Sequence, residues 1–271
     1  VQVSPARSLD LPQLHDLFNL GFSDYLLPMH LSLAAFEDHV GGNDVDLDCS
    51  RVVIDETPVA FALIGRRGSD AWVGGMGTAP SHRRRGLGER ALAAAVETTR
   101  ERGCSALWLE VLDGNHAAIG LYEKLGFEIV RDVIVWSLPA AGAEPPRARS
   151  VDLHDAQAWI ADHRASREPW QRADESLARM RDRGLELRGL VVERAGEVNA
   201  AVVFRQDPEQ AVALQIAALD DDSAADALLA AAGGSLSIRL SNAPEDEPAS
   251  RALEWLGAMA VARQHEMRLA L

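Results

Sequence analysis

The stretch Arg83-Arg84-Arg85-Gly86-Leu87-Gly88 joins a β-type run, Ala71 to Thr78, to a helix-type run with Leu92, Ala95, Val96 and Thr99 on one side. A strand that turns directly into a helix brings the unpaired N–H groups of the first helical turn to one point, where the helix dipole adds partial positive charge. Glycine at 86 and 88 allows close backbone approach and φ > 0. The turn suits a diphosphate. GxxxxGK[ST] is absent, and Arg84 stands at the first glycine position of GxGxxG, so neither a Walker loop nor a Rossmann turn is read. The preceding strand holds Gly74, Gly75 and Gly77, and glycine inside a strand marks a bulge or a close approach of backbones.

Downstream, Asn115 and Tyr122 stand seven residues apart on a helix running to Leu125, about two turns, so both face one cleft. On the strand Ala106 to Leu112, Glu110 alternates away from Leu107, Leu109 and Val111 and shares a face with Trp108. Asp113, Asp24 and His30 are further candidate bases. His82 reads as a solvated neighbour of the arginine run. No histidine or cysteine has metal-ligand spacing, and Cys49 and Cys104 read as buried free thiols, so no metal is expected.

The elements that position these groups are those of an α/β (α+β) chain. Asp10 and Pro12 open an amphipathic helix, and Ser32 caps a second one that Gly41-Gly42 stops. Arg51 to Ile54 and Val59 to Ile64 form a hairpin. Ile129 to Leu138 closes the first half. Residues 139–149 hold three prolines without periodicity, as a linker does. Beyond it the order of elements repeats, and Leu253 to Ala258 aligns with Tyr122 to Phe127 at a shift of 131 residues. The expected domains are 1–140, a linker 141–149, and 150–271 as a degraded copy of the first.

Length agrees, since 271 residues exceed the ~100–200 usual for one domain. Apolar residues at 47% and charged residues at 25% describe a soluble globular chain, and no apolar run reaches the ~18 residues of a membrane span. No signal peptide is visible, so a cytoplasmic location is expected. The net charge of −14 disfavours nucleic acid and favours a cationic acceptor.

GTAPSHRRRGLGERAL followed by LEVLDGNHAAIGLYEKLGF resembles the core of the GNAT acetyltransferases, over about residues 71–138. The resemblance implies two GNAT-type domains, each a mixed, mostly antiparallel sheet flanked by helices, with acetyl-CoA as cosubstrate. It implies that Met76, Gly77 and Thr78 face the pantetheine arm and that Arg83, Arg84, Arg85, Gly86, Leu87, Gly88 and Glu89 face the pyrophosphate. It also gives the glycine-rich strand a reason: a bulge that splays it from the next strand and aims an N–H at the thioester carbonyl. Asn115 would contact the cofactor, and the Tyr122 phenol would sit beside its sulfur.

Acyl transfer to an amine requires loss of a proton from an ammonium of pKa ~10, stabilisation of the oxyanion and a proton for the departing thiolate. Tyr122 is the natural acid. Glu110 stands where GNATs resembling ribosomal-protein Nα-acetyltransferases carry their base, or else it orders the strand splay. Phe22, Asp24 and Tyr25, in the segment Gly21 to Met29 that lines the acceptor pocket in such folds, either clamp a cationic amine or pack in the core. In the second copy, Leu219-Asp220-Asp221-Asp222-Ser223 replaces the pyrophosphate turn and Leu253 replaces Tyr122. The expected activity is therefore N-acetyl transfer to a small-molecule or peptide amine in a ternary complex, by one domain per chain. The alternative is a non-catalytic CoA-binding sensor or interaction module. A longer or succinyl donor stays open, as does a monomer or homodimer.

Overall fold

The protein is described by a computed structural model covering residues 1–27 and 29–271. The first elements are β1 (Gln2–Pro5), α1 (Leu11–Gly21), α2 (Leu33–Gly42), β2 (Arg51–Asp55), β3 (Thr57–Arg67), β4 (Asp70–Thr78), α3 (Leu87–Glu101), β5 (Ala106–Leu112), α4 (His116–Lys124) and β6 (Glu128–Leu138). Then follow β7 (Arg149–Val151), α5 (Leu153–His163), α6 (Asp174–Asp182), β8 (Arg188–Arg194), β9 (Glu197–Gln206), β10 (Gln210–Ala218), α7 (Asp221–Ala232), β11 (Ser237–Pro244), α8 (Pro248–Trp255) and β12 (Met259–Ala270).

Two compact units result: Val1–Val130 with His265–Leu271, and Arg131–Gln264. This division differs from the sequence expectation of 1–140 and 150–271. Residues 139–148 have no helix or strand but are held inside the second unit, where the Gly142 N–H donates to the Gly234 carbonyl at 3.0 Å. The end of the last strand belongs to the first unit.

In the first unit the strand order is β1-β2-β3-β4-β5 followed by the end of β12. Pairing is antiparallel from β1 to β4, and β4 and β5 are parallel. The Leu271 N–H donates to the Ser105 carbonyl at 3.0 Å, and the Arg268 guanidinium lies 5.5 Å over the Trp108 ring, so the last strand runs antiparallel to β5. Period-two alternation splits the core into two layers. Phe61 and Leu63 of β3 pack with Leu14, Leu17, Phe18 and Phe36 of α1 and α2. Ala60, Ala62 and Ile64 face the opposite layer with Leu92 and Ala95 of α3, Tyr122 of α4, and Met267 and Leu269 of β12.

The second unit repeats the order as β7-β8-β9-β10-β11 followed by β6, again with one parallel pair, β10–β11. Tyr122 to Phe127 ends α4 and enters β6, and Leu253 to Ala258 ends α8 and enters β12, so the internal repeat marks equivalent elements. Each copy is thus completed by a strand from elsewhere in the chain: β6 follows the first copy's last helix but completes the second sheet. β12 does the converse.

Candidate active site

β4 carries the expected irregularity. Its register with β3 steps from Leu63↔Gly75 to Ile64↔Val73, leaving Gly74 as the extra residue of a β-bulge. On the other edge, parallel pairing with β5 runs from Asp70↔Ala106 to Trp72↔Trp108 and stops. From there to Thr78 the strand keeps β3 but loses β5, and Gly74 to Thr78 become partly exposed. Met76, Gly77 and Thr78 therefore present a backbone edge to an opening wedge. A Cβ at Gly77 would stand 2.8 Å from the Phe61 ring and 3.2 Å from the Gly21 Cα, so glycine here lets α1 lie directly on β4.

The wedge ends at the N-terminus of α3. Gly86 is its N-cap at φ 71°, in the left-handed region, with no side-chain cap. The first backbone bond of the helix runs from Arg90 N–H to the Gly86 carbonyl, so the N–H groups of Leu87, Gly88 and Glu89 precede the helical ladder. A Cβ on Gly88 would lie 2.9 Å from the Thr78 Oγ1 and 3.3 Å from the Met76 Cε, closing the space between helix and strand. Uncommitted donors at a dipole's positive end, beside a space that one methyl would fill, fit a diphosphate.

The three arginines divide by role. Arg83 donates to Asp24 (2.7 Å to Oδ2), to the Gly21 carbonyl at 3.2 Å and to the Thr78 carbonyl at 3.1 Å. Its side chain therefore ties the end of α1 to β4. Arg85 pairs with Asp55 at 2.9 Å. Among the described residues, Arg84 alone of the three has no hydrogen bond or ion pair, and it sits at φ 57° on the exposed turn. Arg84→Ala is expected to weaken acetyl-CoA binding about tenfold, the scale of one charge-assisted hydrogen bond, and Arg85→Ala less, as isothermal titration would measure. Glu89 is held by Lys124 at 2.6 Å, which ties the start of α3 to the end of α4.

Glu110 lies on β5 just past the last β4–β5 pair, on the face of Trp108, as its alternation implied. The Trp72 indole donates to its Oε2 at 2.8 Å across the start of the wedge. Asn115 caps α4, its Oδ1 accepting from the Ala118 N–H at 3.3 Å. Tyr122 is 6% exposed, its ring 5.7 Å from that of Phe127. Burial first, then the nearby Tyr25 phenol, push its pKa well above that of a free tyrosine. Burial likewise raises Tyr25, against the lowering effect of Asn115. Among the described residues the Tyr122 hydroxyl has no hydrogen-bond partner.

The remaining acceptor-side residues are more committed than the sequence implied. Phe22 packs on Phe18 at 4.7 Å and edge-on to Tyr25 at 5.1 Å. The bond to Arg83 is the main influence that holds the Asp24 carboxyl below its ordinary pKa, so this carboxylate is ionised and already paired. Pro28, within the segment Gly21 to Met29, lies outside the described residues. Among the described residues no group of three or more His, Cys, Asp or Glu is arranged to hold a metal. No helix among them is long and apolar enough to cross a membrane.

The second unit keeps the scaffold without the site. β10 has the same bulge, at Leu214, and β10–β11 pairing stops at Ala213↔Leu240. However, α7 is capped by its own Asp220, whose Oδ1 takes the Ser223 N–H at 2.7 Å, with Asp221 and Asp222 in the first turn. Leu253, in the place of Tyr122, is core.

Residues 11–127 match the model of the acetyltransferase (GNAT) family. This part of the chain is similar to that family. A ribosomal protein bS18 alanine N-acetyltransferase of Salmonella typhimurium is 38% identical over 28% of this chain and 52% of its own length. A streptothricin acetyltransferase of Streptomyces lavendulae is 45% identical over 18% of this chain and 26% of its own. The chain spans at most about half the length of these relatives. A solved tandem GNAT protein of the clavulanic acid biosynthesis pathway shares the fold at a TM-score of 0.69, with 18% identity, covering 99% of this chain and 98% of that one. The fold is thus that of a tandem GNAT protein. GNAT proteins use acetyl-CoA, and the two relatives are named for one protein and one small-molecule acceptor.

Sequence reading missed two contacts here. Arg83 with Asp24, and His39 of α2 with the Gly74 carbonyl at 2.8 Å, join residues 59 and 35 positions apart. No local pattern carries such pairs.

Proposed function

We propose that the first unit transfers the acetyl group of acetyl-CoA to a primary amine by direct attack in a ternary complex. The observation that carries this reading is the wedge between β4 and β5, which leads from Glu110 to the uncapped N-terminus of α3. Met76, Gly77 and Thr78 would hold the pantetheine arm along the β4 edge. The N–H groups of Leu87, Gly88 and Glu89 with Arg84 would hold the pyrophosphate, and Asn115 would contact the arm from α4. The bound cosubstrate supplies a thioester whose carbonyl an amine can attack.

Around that carbonyl each residue has one task. A backbone N–H at the β4 bulge stabilises the negative charge developing on oxygen. Glu110, held by Trp72, accepts the amine's proton directly or through water. Tyr122, kept protonated by burial, gives a hydrogen bond and then its proton to the departing sulfur. The acceptor enters over the α1–α2 connection, where exposed Leu26 and Met29 flank Tyr25 and favour an amine with apolar surroundings. The second unit supplies structure and no second cofactor site, since the Asp220 cap and its neighbouring carboxylates repel a diphosphate.

The test is thiol release from acetyl-CoA against a panel of small amines, aminoglycosides, amino acids and N-terminal peptides. Amine-dependent release supports the reading, and acetyl-CoA binding with no release by any amine overturns it in favour of a sensor. Tyr122→Phe is expected to lower kcat by roughly 10²-fold, the scale of losing a general acid, with KM for acetyl-CoA little changed. Full turnover in that variant would reject the acid assignment.

A further inference from the structure

We infer that His39 is a positioning residue for acyl transfer: from α2 its imidazole holds the bulged Gly74–Gly75 peptide of β4 so that the Gly75 N–H points to the face of the sheet bearing Tyr122. The inference rests on the acetyltransferase reading of this site.

Gly74 is the residue that the β3–β4 register leaves over, so the ladder does not fix its peptide plane. Glycine lies on both sides of that plane, and the torsions flanking it are the least restricted in any chain. Such a peptide rotates unless something outside the sheet grips it. His39 does so, its Nε2 standing 2.8 Å from the Gly74 carbonyl. A carbonyl only accepts, so the ring proton is on Nε2. Nδ1 then accepts from the Asn43 Nδ2 at 3.5 Å. Burial lowers the histidine's pKa and keeps the ring neutral, in keeping with this single-proton arrangement. The ring is fixed between Phe18, Phe36 and Trp72, with centroids at 5.8, 6.4 and 6.1 Å.

A trans peptide points its C=O and its following N–H in opposite directions, and the protein has no cis bonds among the described residues. Pulling the Gly74 carbonyl toward α2 therefore turns the Gly75 N–H away from α2. Phe36 places α2 on the layer opposite to the one holding Tyr122, so the N–H faces the Tyr122 side. Trp72, which touches the His39 ring, also holds Glu110.

The second unit repeats the device with different chemistry. Its bulge carbonyl, Leu214, accepts from the Nε of Arg172 at 2.8 Å, from a buried side chain on a short 3-10 turn. Two copies with unlike residues and unlike local structure grip the same carbonyl. The bulge requires an off-ladder donor, and in the first unit that donor stands over the reacting centre.

His39→Phe keeps an aromatic ring and removes the donor, while His39→Gln keeps an N–H donor of similar reach. Both are compared with the wild type in thiol release with the best amine of the panel, and in the NMR shift of the Gly74 carbonyl carbon, which reports the bond that this carbonyl accepts. The expected result is a kcat at least ~10-fold lower for His39→Phe, with KM for acetyl-CoA within about twofold, on the scale of a misplaced oxyanion donor. The Gly74 carbonyl shift should move in that variant, and His39→Gln should recover most of both. Wild-type kcat and carbonyl shift in His39→Phe, or no recovery in His39→Gln, overturns the proposal. Should His39→Phe melt early, His39→Met fills the space without a donor and takes its place. If the wild type itself releases no thiol with any amine, the acetyltransferase reading falls, and the Gly74 carbonyl shift still decides whether His39 holds the peptide.

Discussion

A chain ending at Gln264 is expected to lose the first unit. His265–Leu271 forms the strand beside β5, and Met267 and Leu269 are 0% and 8% exposed within the core that also holds Leu107, Leu109 and Tyr122. Removing two buried side chains of this size costs about 2–5 kcal/mol each, before the lost ladder is counted. That is comparable with the ~5–15 kcal/mol by which a domain is stable. The truncation also leaves β5 as an open edge, which invites aggregation. Circular dichroism melting should show the first unit's transition lost or moved far down, and hydrogen exchange should show residues 106–112 unprotected. For the same reason a fragment of residues 1–140 is expected not to fold alone. A fragment that melts cooperatively and binds acetyl-CoA would show that β12 is dispensable.

Gly86→Asp is expected to abolish most acetyl-CoA binding while leaving the protein folded. A Cβ at Gly86 meets nothing within 4 Å, so there is room for the side chain, and the cost is the left-handed conformation at φ 71°. That cost is roughly 1–2 kcal/mol for most residues, and aspartate is among those that tolerate it best. The carboxylate, however, would stand at the helix N-terminus where a diphosphate needs uncommitted N–H groups. The second unit displays the outcome in Asp220, which occupies the Ser223 N–H of α7. Losing one charge-assisted bond and adding a like charge should raise the dissociation constant at least ~100-fold. Titration calorimetry measures the affinity, and an unchanged melting curve separates binding from folding. Unchanged affinity would mean that the pyrophosphate does not sit on α3.

The two units keep one scaffold and carry different residues on it. Bulge, parallel pair and early end of pairing recur in both. What differs is the chemistry set on them: Gly86 against Asp220, Tyr122 against Leu253, His39 against Arg172. In the second unit the Arg172 guanidinium is itself buried against Glu168 at 3.1 Å, so a charged pair stands where the first unit has a neutral ring. Removing one partner of such a pair strands the other charge, which favours keeping both.

The local features were legible in the order of residues. The strand–turn–helix around Gly86, the bulge marked by Gly74 and Gly75, the alternation that places Glu110 with Trp108, and the helical spacing of Asn115 and Tyr122 depend on residues close together in the chain. Each is fixed by backbone sterics or by the period of its own element. The 131-residue repeat likewise identified two copies. Packing decided which unit each final strand completes, because β6 and β12 have similar patterns and either sheet satisfies their alternation. It also decided the partners of the charged and polar groups. Arg83, in the turn before α3, gives its guanidinium to Asp24, and His39 of α2 grips a strand carbonyl 35 positions away. Such pairings depend on how layers pack, and a hydrogen bond formed between layers leaves no periodic trace in either segment.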